Sequence, residues 1–197
     1  MWNIELLGTD VYHIVACFII YSVLGWLLES TYMSICNRKF TNRGFAFSPF
    51  CPIYGFGAVT GYLLLHPFAD NVVKLYLLGA VSATIFEFLV GKLMIGLFGE
   101  LWWDYNDKPF NYKGIICAES TVAWGFYAVG IIVFLNNHVV QFIDRYNVGS
   151  GIMLCRFILV VFLIDFSYHF IQAMGINLGK YREKIHQKYD SFKARWY

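Results

Sequence analysis

The chain alternates between long apolar runs and short polar segments, and the runs are long enough to cross a lipid bilayer. A membrane-spanning helix takes about 20 apolar residues, within a usual range of roughly 17 to 25. Five runs fall in this range, and the second is the shortest because Pro52 precedes it and Pro67 ends it. The pattern predicts five transmembrane helices, near residues 11–36, 50–66, 72–98, 115–136 and 151–175.

Composition agrees with an all-α, polytopic membrane protein. Hydrophobic residues make up 58% of the chain and charged residues 14%, whereas about 25% of an average soluble domain is charged. The first apolar run is too long for a signal-peptide core, so we expect it to remain in the mature protein. The cysteines form no CxxC pair, which indicates free thiols. We expect a transmembrane helical domain over residues 1–176 and a basic tail over residues 177–197.

Lys and Arg are concentrated in alternate connections and in the tail. Cations in short loops remain on the cytoplasmic side of a membrane, so the pattern predicts an external amino terminus and a cytoplasmic carboxyl terminus. The formal net charge of +2 gives no indication of nucleic-acid binding. The loop cations on the predicted cytoplasmic side are Arg38, Lys39, Arg43, Lys108 and Lys113.

Two stretches of the chain resemble each other at a constant offset of 70 residues. Residues 44–59 read GFAFSPFCPIYGFGAV, residues 114–129 read GIICAESTVAWGFYAV, and Glu29 and Glu87 each lie in the preceding helix. Chance similarity between apolar helices is the alternative explanation. We interpret helices 1–2 and 3–4 as two copies of one hairpin in a parallel repeat, a relation found among transporters.

Acidic residues inside the apolar runs are the strongest indication of a site. A carboxylate at the centre of a membrane helix costs roughly 2.5 to 3.5 kcal/mol, so such residues usually face a bundle interior or a wet cavity. Glu29, Glu87 and Asp165 lie inside the runs, and Glu119 lies near the start of the fourth. All four fall in the predicted cytoplasmic half, which predicts an acid-lined cavity on that side.

Other polar residues extend this prediction. Asp165 and His169 share one face of the fifth helix, where structural pairing is favoured over proton or cation coupling, and both over a metal site. Arg43, close to a Pro-bounded helix start, would meet an anionic group. We predict no metal and no cofactor. The remaining candidates for substrate or ion binding are Asn42, Tyr54, Trp103, Asp104, Tyr105 and Asn111.

Several motifs give the chain a family resemblance over roughly residues 15–170. GWLLE ends at Glu29, NRG begins at Asn42, PFCPIYGFG covers residues 49–57, and WWDY and FN.KG follow in the next loop. With these motifs the chain resembles the CmpB-like family of ABC-transporter type IV (permease) membrane proteins. The resemblance implies a small bacterial inner-membrane protein related to transport. Its motif residues would be Glu29, Asn42, Arg43, Cys51, Pro52, Tyr54, Glu87, Trp103, Asp104, Tyr105 and Asn111.

Three classes of function are compatible with these features. The first is a transport-related, permease-like subunit; because the chain has no P-loop motif, ATP hydrolysis would need a separate ATPase subunit, and five helices favour a homo-oligomer. The second is a membrane-embedded enzyme acting on a lipid or isoprenoid headgroup through Glu87, Asp165 and His169. It is less favoured because no nucleophile–base signature is visible. The third is a non-catalytic scaffold or sensor in which the acids only join helices.

Overall fold

The computed structural model describes residues 2, 4–6 and 8–173, and the regular secondary structure of this part of the chain is helical apart from one small hairpin. The strands β1 (Glu5–Leu6) and β2 (Thr9–Asp10) pair antiparallel just before the first helix. The all-α prediction is therefore confirmed, while the predicted tail lies outside the described residues. The helices are α1 (Val11–Asn37), α2 (Pro52–Leu65), α3 (Val72–Phe98), α4 (Ala118–Ile143) and α5 (Val148–Ala173).

Four of these helices, α1, α3, α4 and α5, are long and apolar enough to cross a membrane. The prediction of a multi-pass membrane protein is thereby confirmed. α2 differs from its prediction, since its 14 residues span only about 21 Å. The hydrocarbon core of a bilayer is about 30 Å thick, so α2 is a helix but does not reach the length of a full span.

A non-helical segment that returns along α1 explains the short α2. The backbone N–H of Cys51 donates to the carbonyl of Ser22 at 3.0 Å. Ser22 lies fifteen residues before the end of α1, which is about 22 Å along the helix axis. The chain thus turns at Arg38, where φ is 51°, and descends to the middle of α1 before α2 begins. We call residues 38–51 the re-entrant segment.

Side chains of α1 satisfy the backbone of this segment. The N–H of Thr41 donates to Ser34 Oγ at 2.9 Å, and the N–H of Arg43 donates to Ser30 Oγ at 3.1 Å. An unsatisfied backbone group inside a bilayer costs several kcal/mol. Serines within an apolar helix therefore let non-helical chain lie at membrane depth.

Close helix contacts join α1 to α2 and α3 to α4. Gly55 of α2 lies so close to Ser22 that a Cβ would overlap the hydroxyl, and Gly125 of α4 lies equally close to the ring of Tyr76. The two hairpins are held together by glycines at equivalent positions in the sequence comparison. The loops that follow α1 and α3 meet where the ring of Phe45 stacks on that of Trp102.

α4 extends seven residues beyond its predicted end at residue 136. Its segment Gly130–Leu135 is π-helical, and Val139 and Ile143 beyond it are buried in the core formed with α1 and α5. Asn136 also accepts a hydrogen bond from Tyr21 of α1 at 3.1 Å. Tertiary packing therefore sustains the helix through a sequence whose polarity predicted its end.

Candidate functional site

Glu87 is a buried carboxylate held by three neutral donors. It lies in α3, eleven residues before Phe98, and is only 7% exposed. Its Oε1 accepts from Tyr105 Oη at 3.0 Å, and its Oε2 accepts from Ser120 Oγ at 3.1 Å and Trp124 Nε1 at 3.0 Å. Within the described residues, no Lys or Arg forms an ion pair with it. A site of this kind accommodates either a proton or a negative charge on the same atoms.

The loop between α3 and α4 is folded by its own side chains, and this fold positions Tyr105. Asn111 Nδ2 donates to the carbonyls of Asn106 at 3.1 Å and Lys108 at 2.9 Å, while its Oδ1 accepts from the N–H of Gly114 at 3.2 Å. The N–H of Tyr105 donates to the carbonyl of Gly114 at 3.0 Å. Burial and then the adjacent carboxylate raise the pKa of Tyr105, so it remains a phenol and a hydrogen-bond donor.

Trp103 and Asp104 belong to the same loop and support it rather than facing Glu87. Trp103 Nε1 donates to the carbonyl of Ile115 at 2.8 Å, and Ile115 packs into the space left by Gly91 of α3. Asp104 is exposed and accepts from the backbone and side chain of Asn106. Neither of these predicted site residues forms a hydrogen bond with Glu87, whose partners in the described part of the chain are Tyr105, Ser120 and Trp124.

Glu29 forms the second acidic position and pairs with Arg43. Arg43 Nη2 lies 3.4 Å from Glu29 Oε1 and donates to the carbonyl of Trp102 at 3.2 Å. The Arg43 Nε atom is buried and has no hydrogen-bond partner in the described part of the chain. Arg43 thus links the re-entrant segment to α1 and to the second loop.

Asn42 and Tyr54 hold the re-entrant segment and the start of α2 against α1. Asn42 Oδ1 accepts from Trp26 Nε1 at 2.7 Å and from the N–H of Gly44 at 2.9 Å. The Tyr54 ring occupies the space that a side chain at Gly25 would fill. Both residues were predicted as site residues, and both contact the helix that contains Glu29.

Asp165 of α5 accepts the backbone of the re-entrant segment. Its Oδ2 accepts from the N–H of Ser48 at 2.7 Å, and its Oδ1 lies 3.2 Å from His169 Nδ1. The Phe47 ring packs on the edge of the imidazole, with centroids 4.7 Å apart. The arrangement corresponds to the structural pairing that the sequence favoured for Asp165 and His169.

Glu119 lies apart from the other acids. Its side chain is 64% exposed and its Oε2 lies 2.8 Å from Lys108 Nζ. Hydrogen bonding to Glu119, together with its charge, raises the pKa of Lys108. A groove of about 510 Å³ runs beside α1, but none of the four predicted acids lines it. The structure therefore brings Glu29, Glu87 and Asp165 to the re-entrant segment and the second loop, and leaves Glu119 at the surface.

Three hydroxyl residues that sequence reasoning passed over take part in this arrangement. Ser30 and Ser34 receive backbone N–H groups, and Ser120 donates to Glu87. The i, i+4 spacing of Ser30 and Ser34 inside an apolar helix was the available signal, because such a pair forms one polar face. Ser120, at the third position of α4, was visible as a capping residue.

The comparisons with known proteins agree with the motifs in these loops. A family model, ABC_trans_CmpB, described as "Putative ABC-transporter type IV", matches residues 16–170. Comparison with curated proteins gives no match, and comparison with solved structures gives none. The matched region runs from α1 through most of α5 and includes both loops. The chain therefore belongs to the ABC-transporter CmpB family.

Proposed function

We propose that this chain is a permease-like subunit of a transport system whose buried acids handle a proton or a cation. The observation that carries the proposal is the re-entrant segment, which ends at the middle of α1 and makes α2 a half-length helix. Irregular backbone at membrane depth is tolerated where protein buries it or where it lines a cavity. Transporters use such discontinuous helices to build their substrate and ion sites.

We infer a parallel hairpin repeat, which would support this proposal. The N–H of Gly44 donates to Asn42 and the N–H of Gly114 donates to Asn111, each in the loop that follows an acidic helix. The close contacts of Gly55 and Gly125 described above add a second equivalent pair. Two copies of one hairpin would give two related acidic positions, Glu29 and Glu87, on the same side of the membrane.

The two acids would have different roles. Glu87 has only neutral donors around it, so taking up a proton or releasing one changes the charge of the site without breaking an ion pair. Glu29 shares Arg43 with a backbone carbonyl at 3.2 Å, and the ion-pair distance of 3.4 Å is long. An anionic substrate group would compete for Arg43 and release Glu29. The cavity that admits the substrate would open on the cytoplasmic side.

The family name points to an ABC-type system, and the chain itself has no P-loop sequence. ATP hydrolysis would therefore come from a separate subunit, which would dock on the loop side. Self-association of this chain would complete a pathway that four long helices are too few to enclose. Both partners are proposals that a pull-down with cross-linking would test.

The orientation of the chain in the membrane can be measured directly, because an exposed thiol lies at one end of α1. Cys36 is exposed in the last turn of α1, whereas Cys17, Cys117 and Cys155 are buried. We expect a membrane-impermeant maleimide to label Cys36 in inside-out vesicles and to spare it in intact spheroplasts. An Asn147→Cys substitution in a Cys36→Ser background should show the opposite pattern.

Ion flux in vesicles tests the proposed function. Proteoliposomes containing pyranine report proton entry under a valinomycin-imposed potential, and uptake of radioactive sodium reports a cation. We expect Glu87→Gln to slow flux by tenfold or more, while Glu119→Gln, an exposed acid, stays within twofold of the wild type. Wild-type flux no faster than that of protein-free vesicles for both ions would contradict the proton or cation role. Equal flux in the wild type and Glu87→Gln would show that Glu87 has no part in that proton or cation role.

A further inference from the structure

A surface groove of about 510 Å³ lies between the second half of α1 and the first residues of the re-entrant segment. We call it the α1 groove. None of the acids Glu29, Glu87 and Asp165 lines it, although its wall shares Ser30 and Ser34 with the contacts that hold the re-entrant segment. Its walls include Trp26, Leu27, Ile35, Arg38, Lys39 and Phe40.

The α1 groove has the length and the surface of a binding site for a lipid chain. From Trp26 to Arg38 it follows twelve residues of helix, or about 18 Å, which is close to the roughly 15 Å of hydrocarbon in one leaflet. Leu27, Ile35 and Phe40 are 52%, 72% and 78% exposed along it. An apolar channel of this length, open to the membrane, suits an extended acyl chain.

The mouth of the groove is cationic. Arg38 and Lys39 are adjacent and exposed where α1 ends, and neither forms an ion pair within the described residues. The left-handed backbone of Arg38, with its N–H bonded to the carbonyl of Ile35, fixes the turn that places both residues at the end of α1. Two neighbouring cations repel each other until an anion lies between them.

We propose that the α1 groove binds one anionic phospholipid, with an acyl chain along α1 and the phosphate at Arg38 and Lys39. Charge complementarity selects an anionic headgroup over a zwitterionic one, because each basic residue near an anionic surface adds an attraction of its own. The proposal is independent of the transport role, since the groove contains none of the buried acids.

Native mass spectrometry of the full chain, released from nanodiscs with equal phosphatidylglycerol and phosphatidylcholine, tests this site. We expect the wild type to retain one phosphatidylglycerol, and Arg38→Gln/Lys39→Gln to lose it by on the order of tenfold. Lys92→Gln/Lys113→Gln removes two cations outside the groove and should retain the lipid within twofold. Equal retention by the two double variants, or equal retention of the two lipids by the wild type, would overturn the proposal.

A second substitution tests the apolar part of the site. Thr31 lines the groove and is exposed, so Thr31→Phe fills the channel without entering the core. We expect it to reduce phosphatidylglycerol retention by at least fivefold while both cations remain. If the double variant at the mouth does not fold, Lys39→Gln and Thr31→Phe decide the question, and wild-type retention in both would overturn the proposal.

Discussion

Replacing Glu87 separates the structural role of a buried carboxylate from the role of its charge. Glu87→Ala removes the acceptor of three donors, those of Tyr105, Ser120 and Trp124. Ser120 Oγ also donates to the carbonyl of Cys117 at 3.0 Å and so keeps a partner. Two partly buried donors, Tyr105 Oη and Trp124 Nε1, then lose their acceptor, at up to about 1 to 3 kcal/mol each. We expect Glu87→Ala to destabilise the protein by about 2 to 6 kcal/mol.

Glu87→Gln should behave differently because the amide has the same shape as the carboxylate. Its oxygen can accept from Ser120 and Trp124, and its NH2 group can donate to the Tyr105 oxygen once the phenol O–H rotates. All three contacts persist, while the weaker neutral bonds are offset by the smaller cost of burying an uncharged group. We expect a change of stability within about 1 kcal/mol.

Thermal unfolding in detergent, followed by tryptophan fluorescence, measures both effects. For a chain of this size 1 kcal/mol corresponds to about 2 to 4 °C in the melting temperature. Glu87→Ala should therefore melt at least about 4 °C lower, and Glu87→Gln within about 4 °C of the wild type. Equal melting temperatures of the wild type and Glu87→Ala would refute the argument that donors left without an acceptor destabilise the protein. A loss in Glu87→Gln as large as in Glu87→Ala would show that the fold needs the charge itself.

Three further predictions concern the rest of the structure. Gly125→Leu should destabilise the protein by about 1 to 3 kcal/mol, an amount typical of overpacking, because the leucine side chain would overlap the facing tyrosine of α3. Its melting temperature should therefore fall, and unchanged melting would contradict the close contact. Burial raises the pKa of Asp10, but hydrogen bonds from His13 lower it more, to a net value below the usual 3.8. The stabilisation is therefore present above that value and lost as the pH falls through the folded pKa, and an acid titration of Asp10→Asn should lack this step. Because Cys36 is exposed and Cys117 is buried, iodoacetamide at about pH 8 should alkylate Cys36 and spare Cys117, as peptide mapping will show.

Hydropathy predicted the positions of the helices well because burial in lipid depends on composition over about 20 residues. α1 and α3 begin and end within one residue of their predicted bounds, and the long helices α4 and α5 were also found. α2 was mispredicted as a full span. Its apolar residues continue into Phe50 and Ala46, which are buried, so hydropathy did not distinguish buried non-helical chain from helix. Pro49 and Pro52 marked the break, and their presence was the one local signal for it.

The cost of a charge in an apolar helix singled out the acids, but their partners were not predictable from spacing. Glu87 is held by residues 18, 33 and 37 positions further along the chain, and Asp165 accepts from a backbone 117 residues earlier. Such contacts depend on where the two loops return along their helices. Glu119 was grouped with the others on depth alone. It lies exposed in the first turn of α4, where the helix dipole stabilises an acidic side chain without any need for burial.

The polar residues of the apolar helices fall into two kinds, and only one of them bears on the proposed transport role. Ser30, Ser34 and Asp165 accept backbone N–H groups of the re-entrant segment, so the fold itself requires an acceptor at each position. Glu87 accepts only from side chains, and a neutral glutamine could keep all three contacts with Tyr105 accepting rather than donating. Inserting a carboxylate at the centre of a bilayer costs roughly 2.5 to 3.5 kcal/mol, whereas each interhelical hydrogen bond stabilises a membrane protein by only about 0.6 kcal/mol on average. Because an uncharged residue would hold the helices at lower cost, the carboxyl group of Glu87 is the strongest argument for a function that uses its charge.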